Sequence, residues 1–180
     1  MLKGIVDAVE ISCKKDCIKM KLPNGKVLDI LSDVLDRLEG WIQDTNDKLE
    51  AGGYIVGYQH SETGNITLED ISTPYPLDKR SYTSFVVCDP SHSAFLTKKE
   101  LEKSYYMGVW HTHPQNRPVP SLIDWSDWNE TLNVDQTACE YAFFIIVGNK
   151  EFRVWVGDLK SKVISEIFEY PKFDGIYVKP

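Results

Sequence analysis

The stretch GVWHTHPQNRPVPSLIDWSDW, residues 108–128, constrains the fold most, because it requires three different backbone conformations in a short space. Its beginning, within MGVWHTH at 107–113, combines β-branched and aromatic residues and predicts a strand. The spacer PQNRPVP contains three prolines, so it is stiff and is not helical through its middle. Ser121 then begins a predicted helix over 120–133, directly after Pro120. The chain therefore passes from a strand to a helix through a rigid connection.

The rest of the chain interleaves predicted helices and strands. Apolar residues at helical spacing predict an amphipathic helix over 26–50. Thr97, with Glu100 three residues further on, has the pattern of a capping box and predicts a helix over 95–106. We therefore expect an α/β fold, with a mixed sheet and helices on both sides, in one domain over 1–180. The predicted strands cover 4–12, 17–23, 52–59, 65–74, 83–89, 140–148 and 151–157, and the segment 162–170 is compatible with a strand or a helix.

Charge and hydropathy exclude several functions. The chain has 20 Lys and Arg against 27 Asp and Glu, so no basic surplus is available to bind a phosphate backbone, and we expect no nucleic-acid partner. The first residues contain Asp7 and no long apolar run, which is not the pattern of a signal peptide. The longest uncharged apolar run, 141–148, is too short to cross a bilayer. We therefore expect a soluble, cytoplasmic protein without a membrane partner.

The cysteines and two of the histidines favour structural roles. Cys13 and Cys17 form a C-x3-C pair with no second pair of ligands nearby, so a place in or near a hairpin is favoured over a structural zinc site. The four cysteines together have no spacing that indicates a disulfide framework. His60 and His92 are isolated in the sequence, and we expect each to lie at the surface or to be hydrogen-bonded in a structural role.

Two histidines, a serine and an aspartate within residues 108–128 form a candidate metal site. Alternate side chains of a strand share a face, so His111 and His113 project together and can chelate one ion. Ser121 and Asp124 are at i and i+3 on the predicted helix and project from one side of it. A carboxylate oxygen of Asp124 would complete a set of three ligands, and two histidines with one carboxylate are a recognised ligand set of catalytic zinc.

Glu50 is the candidate general base. It precedes the strand GGYIVG, whose glycines permit close backbone approach. Zinc lowers the pKa of a coordinated water towards about 7, and a nearby carboxylate can take the remaining proton and pass it to a leaving amine. Ser121 could donate a hydrogen bond to the oxyanion. The chain contains neither H-E-x-x-H nor H-x-E followed by P-C-x-x-C, so a thermolysin-type site and a base deaminase are not supported.

The order Glu, H-x-H, seven residues, S-x-x-D resembles the JAMM motif, also called JAB or MPN+, and is matched in full. The segments EAGGYIVG and TPYPLDKRSYTSFVVCDPSHSAF also resemble the short, standalone bacterial JAB proteins, over roughly residues 45–160 in all. Those proteins accompany E1-like and E2-like enzymes, notably in CBASS anti-phage operons. The residues that match the motif are Glu50, His111, His113, Ser121 and Asp124.

The resemblance implies a fold, a cofactor and an activity. The fold would be a three-layer α/β/α sandwich like that of cytidine deaminase, and Zn²⁺ would be held by His111, His113 and Asp124. Glu50 would be the base, and Ser121 would lie at the oxyanion. The activity would be that of a zinc-dependent isopeptidase, which hydrolyses the bond after the C-terminus of a conjugated protein and so reverses E1/E2-type conjugation. That protein would be a ubiquitin-like protein or, in CBASS, the nucleotide second-messenger synthase.

Other functions stay open at this point. The chain could be a catalytically silent binding module with a structural metal, although such a metal needs neither Glu50 nor Ser121. It could also be a different JAMM metallohydrolase that removes a bacterial ubiquitin-like modifier, a small-molecule amidase or a nuclease. The acidic balance of the chain weakens the nuclease hypothesis.

The substrate contacts are less constrained by the sequence. An extended tail could add a strand beside an exposed sheet edge, and we expect the segment 79–95 to supply that edge, with aromatic contacts from Tyr82 and Phe85. The alternative is that Phe85 belongs to the core. Trp125 and Trp128 are expected to pack the helix against the sheet.

Overall fold

The computed structural model describes residues 17–170. The predicted strand over 4–12 and Cys13 lie outside the described residues. Within them, strands and helices alternate along the chain, as the sequence predicted. In chain order the elements are β1 (Ile18–Lys21), β2 (Val27–Ile30), α1 (Ser32–Glu39), β3 (Gly52–Gln59), β4 (Ile66–Ile71), β5 (Lys79–Ser81), β6 (Ser84–Val86), α2 (Ser91–Leu101), β7 (Tyr105–Thr112), α3 (Leu122–Val134), β8 (Tyr141–Val147), β9 (Phe152–Asp158) and β10 (Ile164–Ile167).

Eight of these strands form one mixed sheet, in the order β1-β2-β4-β3-β7-β8-β9-β10. The pairs β2–β4 and β7–β8 are parallel, and the remaining pairs of the sheet are antiparallel. Strands β5 and β6 form a separate two-stranded hairpin. The mixed sheet of an α/β fold is therefore confirmed, and β7, which carries the first histidine of the H-x-H pair, is a central strand.

Apolar residues on the two faces of the sheet form two cores. Along β8, Phe143 belongs to one core and its neighbour Phe144 to the other. Helix α1 packs on the first core through Leu38, and α3 packs on the second through Trp128. Because β8 is buried on both faces, its sequence is a continuous apolar run instead of an alternating one. Within residues 17–170, none of the helices has the length and apolar character needed to cross a membrane.

The predicted helix over 26–50 is correct only in its middle. Its first part is strand β2, its middle is the eight-residue helix α1, and residues 40–51 form neither helix nor strand. Leu28 fits a helical spacing with Leu31, but Leu28 and Ile30 are buried together at the period of two that a strand requires. Strand β2 pairs with the preceding strand β1 and with β4, which comes much later in the chain, and the local pattern did not reveal this second pairing. Helix α1 ends at Gly40.

The predicted helix over 95–106 is placed too far along the chain. Helix α2 begins at Ser91, and Thr97, the predicted N-cap, lies inside it. The Thr97 hydroxyl donates to the carbonyl of Ser93 at 3.1 Å instead of capping a helix. At the real start, the carboxylate of Asp89 accepts from the N–H of Ser91 at 2.9 Å, which satisfies one of the unpaired donors of the first turn.

The predicted strand over 83–89 is only partly correct. Strand β6 covers its middle and pairs with β5 in a tight hairpin, so the segment 79–95 is a hairpin followed by a helix and not one long sheet edge. Tyr82 lies in the turn of this hairpin. The segment 162–170, for which the sequence allowed a strand or a helix, contains strand β10.

Candidate metal centre

The end of β7 brings the two histidines of the H-x-H pair together. His111 is paired with Gly52 of β3 and with Ile146 of β8, so strands hold its backbone on both sides. His113 continues the extended chain, because its N–H donates to the carbonyl of Val147 at 2.9 Å. The two imidazoles face the same side, as predicted, and their Nε2 atoms are 3.0 Å apart.

A capping box at the start of α3 orients the carboxylate of Asp124. The Ser121 hydroxyl accepts from the N–H of Asp124 at 3.1 Å, and Oδ2 of Asp124 accepts from the N–H of Ser121 at 2.6 Å. This exchange holds the carboxylate with Oδ1 at 3.1 Å from Nε2 of His111 and Oδ2 at 3.4 Å from Nε2 of His113. The interaction that begins the helix therefore also directs Asp124 at both histidines.

The proline-rich spacer is hydrogen-bonded to the turn between β8 and β9. The N–H of Asn149 donates to the carbonyl of Gln115 at 2.7 Å, and a Cβ at Gly148 would lie 2.6 Å from that same carbonyl oxygen, so only glycine fits there. The guanidinium of Arg153 donates to the carbonyl of Pro118 at 2.7 Å and makes a bidentate pair with Glu166. These contacts fix the end of the spacer and hence the start of α3.

Glu50 is separated from β3 by Ala51 and is 6% exposed. One of its carboxylate oxygens lies within 4.8 Å of a ring nitrogen of each of His111 and His113. Its backbone is held by the hairpin: its N–H donates to the carbonyl of Ser81 at 2.8 Å, and its carbonyl accepts from Nε of Arg80 at 2.8 Å. Glu50 therefore reaches the histidines, as predicted, although the segment that leads into it is not a helix.

The glycines that follow Glu50 permit the close approach expected from the sequence. A Cβ at Gly52 would lie 2.5 Å from Cδ1 of Phe85 and 2.7 Å from the carbonyl oxygen of Trp110. Both distances are shorter than real Cβ contacts, so a side chain at this position would push the hairpin away from the sheet.

The two carboxylates of the site have pKa values that are shifted in opposite directions. Burial raises the pKa of Glu50 to about 7; the nearby His113 opposes this shift and the charge of Asp124 adds to it. Burial would also raise the pKa of Asp124, but hydrogen bonds from His111 and His113 outweigh it and hold this pKa well below the usual range. Burial lowers the pKa of His113, but its hydrogen bond with Asp124 more than compensates and leaves the pKa raised. Asp124 therefore stays ionised, while Glu50 can exchange a proton near neutral pH.

The donor atoms fit a single zinc ion. Ligands of tetrahedral zinc lie about 2.0–2.1 Å from the metal and hence about 3.3 Å from one another. The Nε2 atoms of His111 and His113 are 3.0 Å apart, and each faces a different carboxylate oxygen of Asp124, at 3.1 Å for His111 and 3.4 Å for His113, so all three separations are close to this value. Glu50 is also close enough to the two histidines to be considered as a donor. Asp124 lies 3.1 and 3.4 Å from the two histidines and is oriented by the capping box, which favours it as the third ligand. Glu50 is then left for proton transfer.

All five candidate residues line one cleft of about 600 Å³. Helix α3 forms one wall, and the hairpin β5–β6 forms another. No lysine or arginine lines this cleft within the described residues. Ser121 is exposed there, and because its oxygen only accepts from the N–H of Asp124, its own proton is available to a ligand.

The two predicted substrate contacts are placed differently. Phe85 is half-buried, lines the cleft and lies outside both apolar cores, which argues against the alternative that it is a core residue. Tyr82 lies at the tip of the hairpin, is 40% exposed and does not line the cleft. The structure therefore brings Phe85, but not Tyr82, to the candidate site.

The two tryptophans of α3 also differ. Trp128 is buried and stacks on Phe144 at a ring distance of 4.8 Å, so it packs the helix against the sheet as expected. Trp125 is partly exposed and lies edge-on to Trp128 at 5.2 Å. Only one of the pair is therefore a core residue.

A second cluster has the residue types of a Ser-His-Asp triad but not its accessibility. Nδ1 of His92 lies 2.8 Å from the Ser72 hydroxyl, and its Nε2 lies 2.7 Å from Oδ2 of Asp78. All three side chains are buried, so no substrate reaches the serine. The expected structural role of His92 is confirmed. His60 lies at the surface and is hydrogen-bonded to Thr67 at 3.0 Å, as also expected.

Several residues that shape the site were not identified from the sequence. Arg80 holds the backbone of Glu50, and Arg153 holds the proline-rich spacer. Gln43 and Thr112 form a buried hydrogen bond between the irregular segment and β7. Each of these residues acts on a segment far away in the chain, so no local spacing could have revealed it. One signal was available in the sequence: Thr112, the residue between the two histidines, is polar.

An α/β fold with a cleft in which two histidines and two carboxylates converge defines a protein with a candidate metal centre. The family of prokaryotic homologues of the JAB domain matches residues 39–157, and the chain belongs to this family. The resemblance found in the sequence is thereby confirmed.

The chain is similar to proteins from several bacteria. The chain is 29% identical over 147 residues to a CD-NTase/cGAS isopeptidase from Escherichia coli (strain TW11681), with 76% of this chain and 89% of that protein covered. It is 29% identical over 140 residues to the protein of the same name from Vibrio cholerae, with 76% and 84% covered. A protein from Desulfitobacterium hafniense with a known solution structure has a TM-score of 0.52 and 17% identity, over 76% of this chain and 87% of that one. This last similarity concerns the fold alone.

Proposed function

We propose that the protein is a zinc-dependent isopeptidase that hydrolyses the bond between the C-terminus of a conjugated protein and its target. The observation that carries this proposal is the convergence of His111, His113 and Asp124 beside the buried Glu50. The names of the similar proteins support the same class of reaction. We further propose a single domain over 1–180, with the three-layer α/β/α arrangement of cytidine deaminase.

His111, His113 and Asp124 would hold the zinc ion. When bound, zinc would act as a Lewis acid that polarises the scissile carbonyl and lowers the pKa of water towards about 7. Asp124 would supply the negative charge of the ligand set, because its pKa is held low and the carboxylate is therefore ionised before zinc replaces its hydrogen bonds with the two histidines. The strand and the capping box keep the three donors in place before any ligand binds.

Glu50 would transfer the proton. Its carboxylate takes a proton from the attacking water and later gives it to the nitrogen of the leaving amine. Burial suits it to both steps, because a pKa of about 7 lets the group accept and release a proton near neutral pH. The hydroxyl of Ser121 would donate a hydrogen bond to the oxyanion that develops on the scissile carbonyl. A purely structural metal would need neither residue, which disfavours the silent binding module.

The conjugated protein would approach along the cleft as an extended tail. In CBASS the conjugated protein would be the nucleotide second-messenger synthase. The isopeptidase would then counteract E1-like and E2-like enzymes in the cytoplasm. The words CD-NTase/cGAS in the names of the similar proteins support this substrate. Removal of a bacterial ubiquitin-like modifier is the alternative, and it uses the same chemistry.

The proposal is tested with conjugates made by E1-like and E2-like enzymes. We expect the purified protein to contain one equivalent of zinc and to release the second-messenger synthase from its target. Treatment with a chelator should abolish the release, and one equivalent of zinc should restore it. Equal cleavage by metal-free protein, or no cleavage of either the synthase or the ubiquitin-like conjugate at full zinc content, would contradict the proposal.

Phe85→Ala is expected to raise KM about tenfold, because the ring supplies apolar surface to the cleft and full burial of such a side chain contributes about 1.5–3 kcal/mol. Tyr82→Ala is the matched control in the same hairpin. Since Tyr82 does not line the cleft, we expect it to change KM by less than about twofold. Steady-state kinetics and thermal unfolding distinguish the outcomes: an unchanged KM with a lower melting temperature for Phe85→Ala would mean that the ring only supports the wall.

A further inference from the structure

Thr112 lies between the two histidines, and its side chain points away from them. The alternation of the strand places it on the opposite face, where it is completely buried. Its hydroxyl accepts from the N–H of Ala51 at 3.0 Å and donates to Oε1 of Gln43 at 2.8 Å. The backbone N–H of Thr112 also donates to the carbonyl of Ala51 at 2.8 Å. This one residue is therefore bonded three times to the segment that precedes β3.

Gln43 extends this contact to two further segments. It is 2% exposed, and its Nε2 donates to the carbonyl of Tyr82 at 2.9 Å and to that of Lys48 at 3.2 Å. A single amide thus joins the strand that carries the histidines, the irregular segment before β3 and the tip of the β5–β6 hairpin. Both amide hydrogens and the amide oxygen are used, so the group leaves no buried donor unpaired.

Glu50 needs such contacts because residues 40–51 form neither helix nor strand. Its position relative to the histidines depends on the peptide that joins it to Ala51, and Thr112 binds the N–H of that peptide. The hairpin holds Glu50 on both sides, because Ser81 accepts from its N–H and Arg80 donates to its carbonyl, and the tip of this hairpin is in turn bonded to Gln43. A shift of this network by a fraction of an ångström would move the carboxylate relative to the reacting atoms.

We propose that Thr112 and Gln43 are positioning residues that hold Glu50 in its place beside His111 and His113. Neither residue faces the cleft or lies among its lining residues, so both act through the backbone. The inference rests on the proposed function, because its main readout is the rate of isopeptide hydrolysis.

Thr112→Val and Thr112→Ser test the hydroxyl. Valine keeps the shape and removes the hydroxyl, whereas serine keeps the hydroxyl. With a peptide of the synthase C-terminus joined to a fluorescent lysine as the probe, we expect Thr112→Val to lower kcat about 10- to 100-fold with KM and zinc content unchanged. Thr112→Ser should restore kcat to within about threefold of the wild type. Hydrogen exchange of the backbone amides of residues 49–51 should be faster in Thr112→Val than in the wild type. Thr112→Ser should not show this increase.

Gln43→Leu tests whether the two residues act as one unit. If Gln43 acts with Thr112, the double variant should lose no more kcat than the worse single variant, whereas independent residues would multiply their losses. Multiplied losses, a serine variant that is not rescued, or a kcat that falls only in parallel with zinc content would overturn the inference. If Gln43→Leu fails to fold, Gln43→Glu replaces it, because glutamate keeps an acceptor for the Thr112 hydroxyl. The kcat of Gln43→Glu should fall less than that of Thr112→Val. An inactive wild type with full zinc would instead contradict the proposed function and leave amide exchange as the test of positioning.

Discussion

Glu50→Gln is expected to abolish isopeptide hydrolysis while the protein keeps its fold and its zinc. Glutamine has nearly the same shape but cannot take a proton from water or give one to the leaving amine. General acid–base catalysis contributes about 10²- to 10⁴-fold, so kcat should fall by at least about a hundredfold with little change in KM. The stability should be unchanged or higher, because burial already disfavours the charged form of this carboxyl, as its pKa of about 7 indicates.

The measurement combines steady-state kinetics, zinc content and thermal unfolding of the same preparations. Glu62→Gln is a suitable control, since it makes the same change of charge at an exposed position away from the cleft. Wild-type kcat in Glu50→Gln would assign proton transfer to another group. A loss of zinc in this variant would instead assign Glu50 to the ligand set.

Asp124→Asn is expected to release zinc and, with it, all activity. The amide oxygen can still accept from the N–H of Ser121, so the helix keeps its cap, but the negative charge that faces both histidines is removed. Loss of a residue that only supports a ligand weakens metal binding about 10- to 100-fold, so loss of a direct ligand should weaken it by more than about 100-fold. Competition with a chromophoric chelator measures this change.

Ser121→Ala is the matched control, because it removes the other half of the same capping box. It should lower the free energy of unfolding by about 1 kcal/mol through the lost cap, yet retain one equivalent of zinc. Its kcat should fall about 10²- to 10³-fold if its hydroxyl stabilises the oxyanion. The assignment of the ligands is wrong if Asp124→Asn binds zinc as tightly as Ser121→Ala.

Local patterns predicted the parts of the site that are close in the chain. The period of two along β7 placed His111 and His113 on one face, and the i, i+3 spacing paired Ser121 with Asp124 at the start of α3. The stiffness of the three prolines between them correctly indicated a non-helical connection. These predictions succeeded because each depends on the backbone geometry of one short segment.

Predictions failed where one local pattern is compatible with two structures and a contact outside the pattern selected one of them. Leu28 is compatible with a helix, together with Leu31, and with a strand, together with Ile30, and pairing with β1 and β4 selected the strand. Thr97 has the spacing of a cap, but Asp89 and the preceding loop begin α2 earlier. Phe85 was compatible with the core and with the cleft, and the hairpin formed by β5 and β6 placed it in the cleft wall.

The sequence by itself determined which donors and proton carriers the chain offers and how neighbouring ones are oriented. Only the tertiary structure decided that Glu50 lies beside the histidines, at the burial that raises its pKa, and that Thr112 and Gln43 support its backbone. The physical reason is the distance along the chain over which each kind of interaction acts. Backbone geometry relates side chains a few residues apart, whereas the distance between segments far apart in the chain is set by strand pairing and by buried hydrogen bonds that exist only after folding.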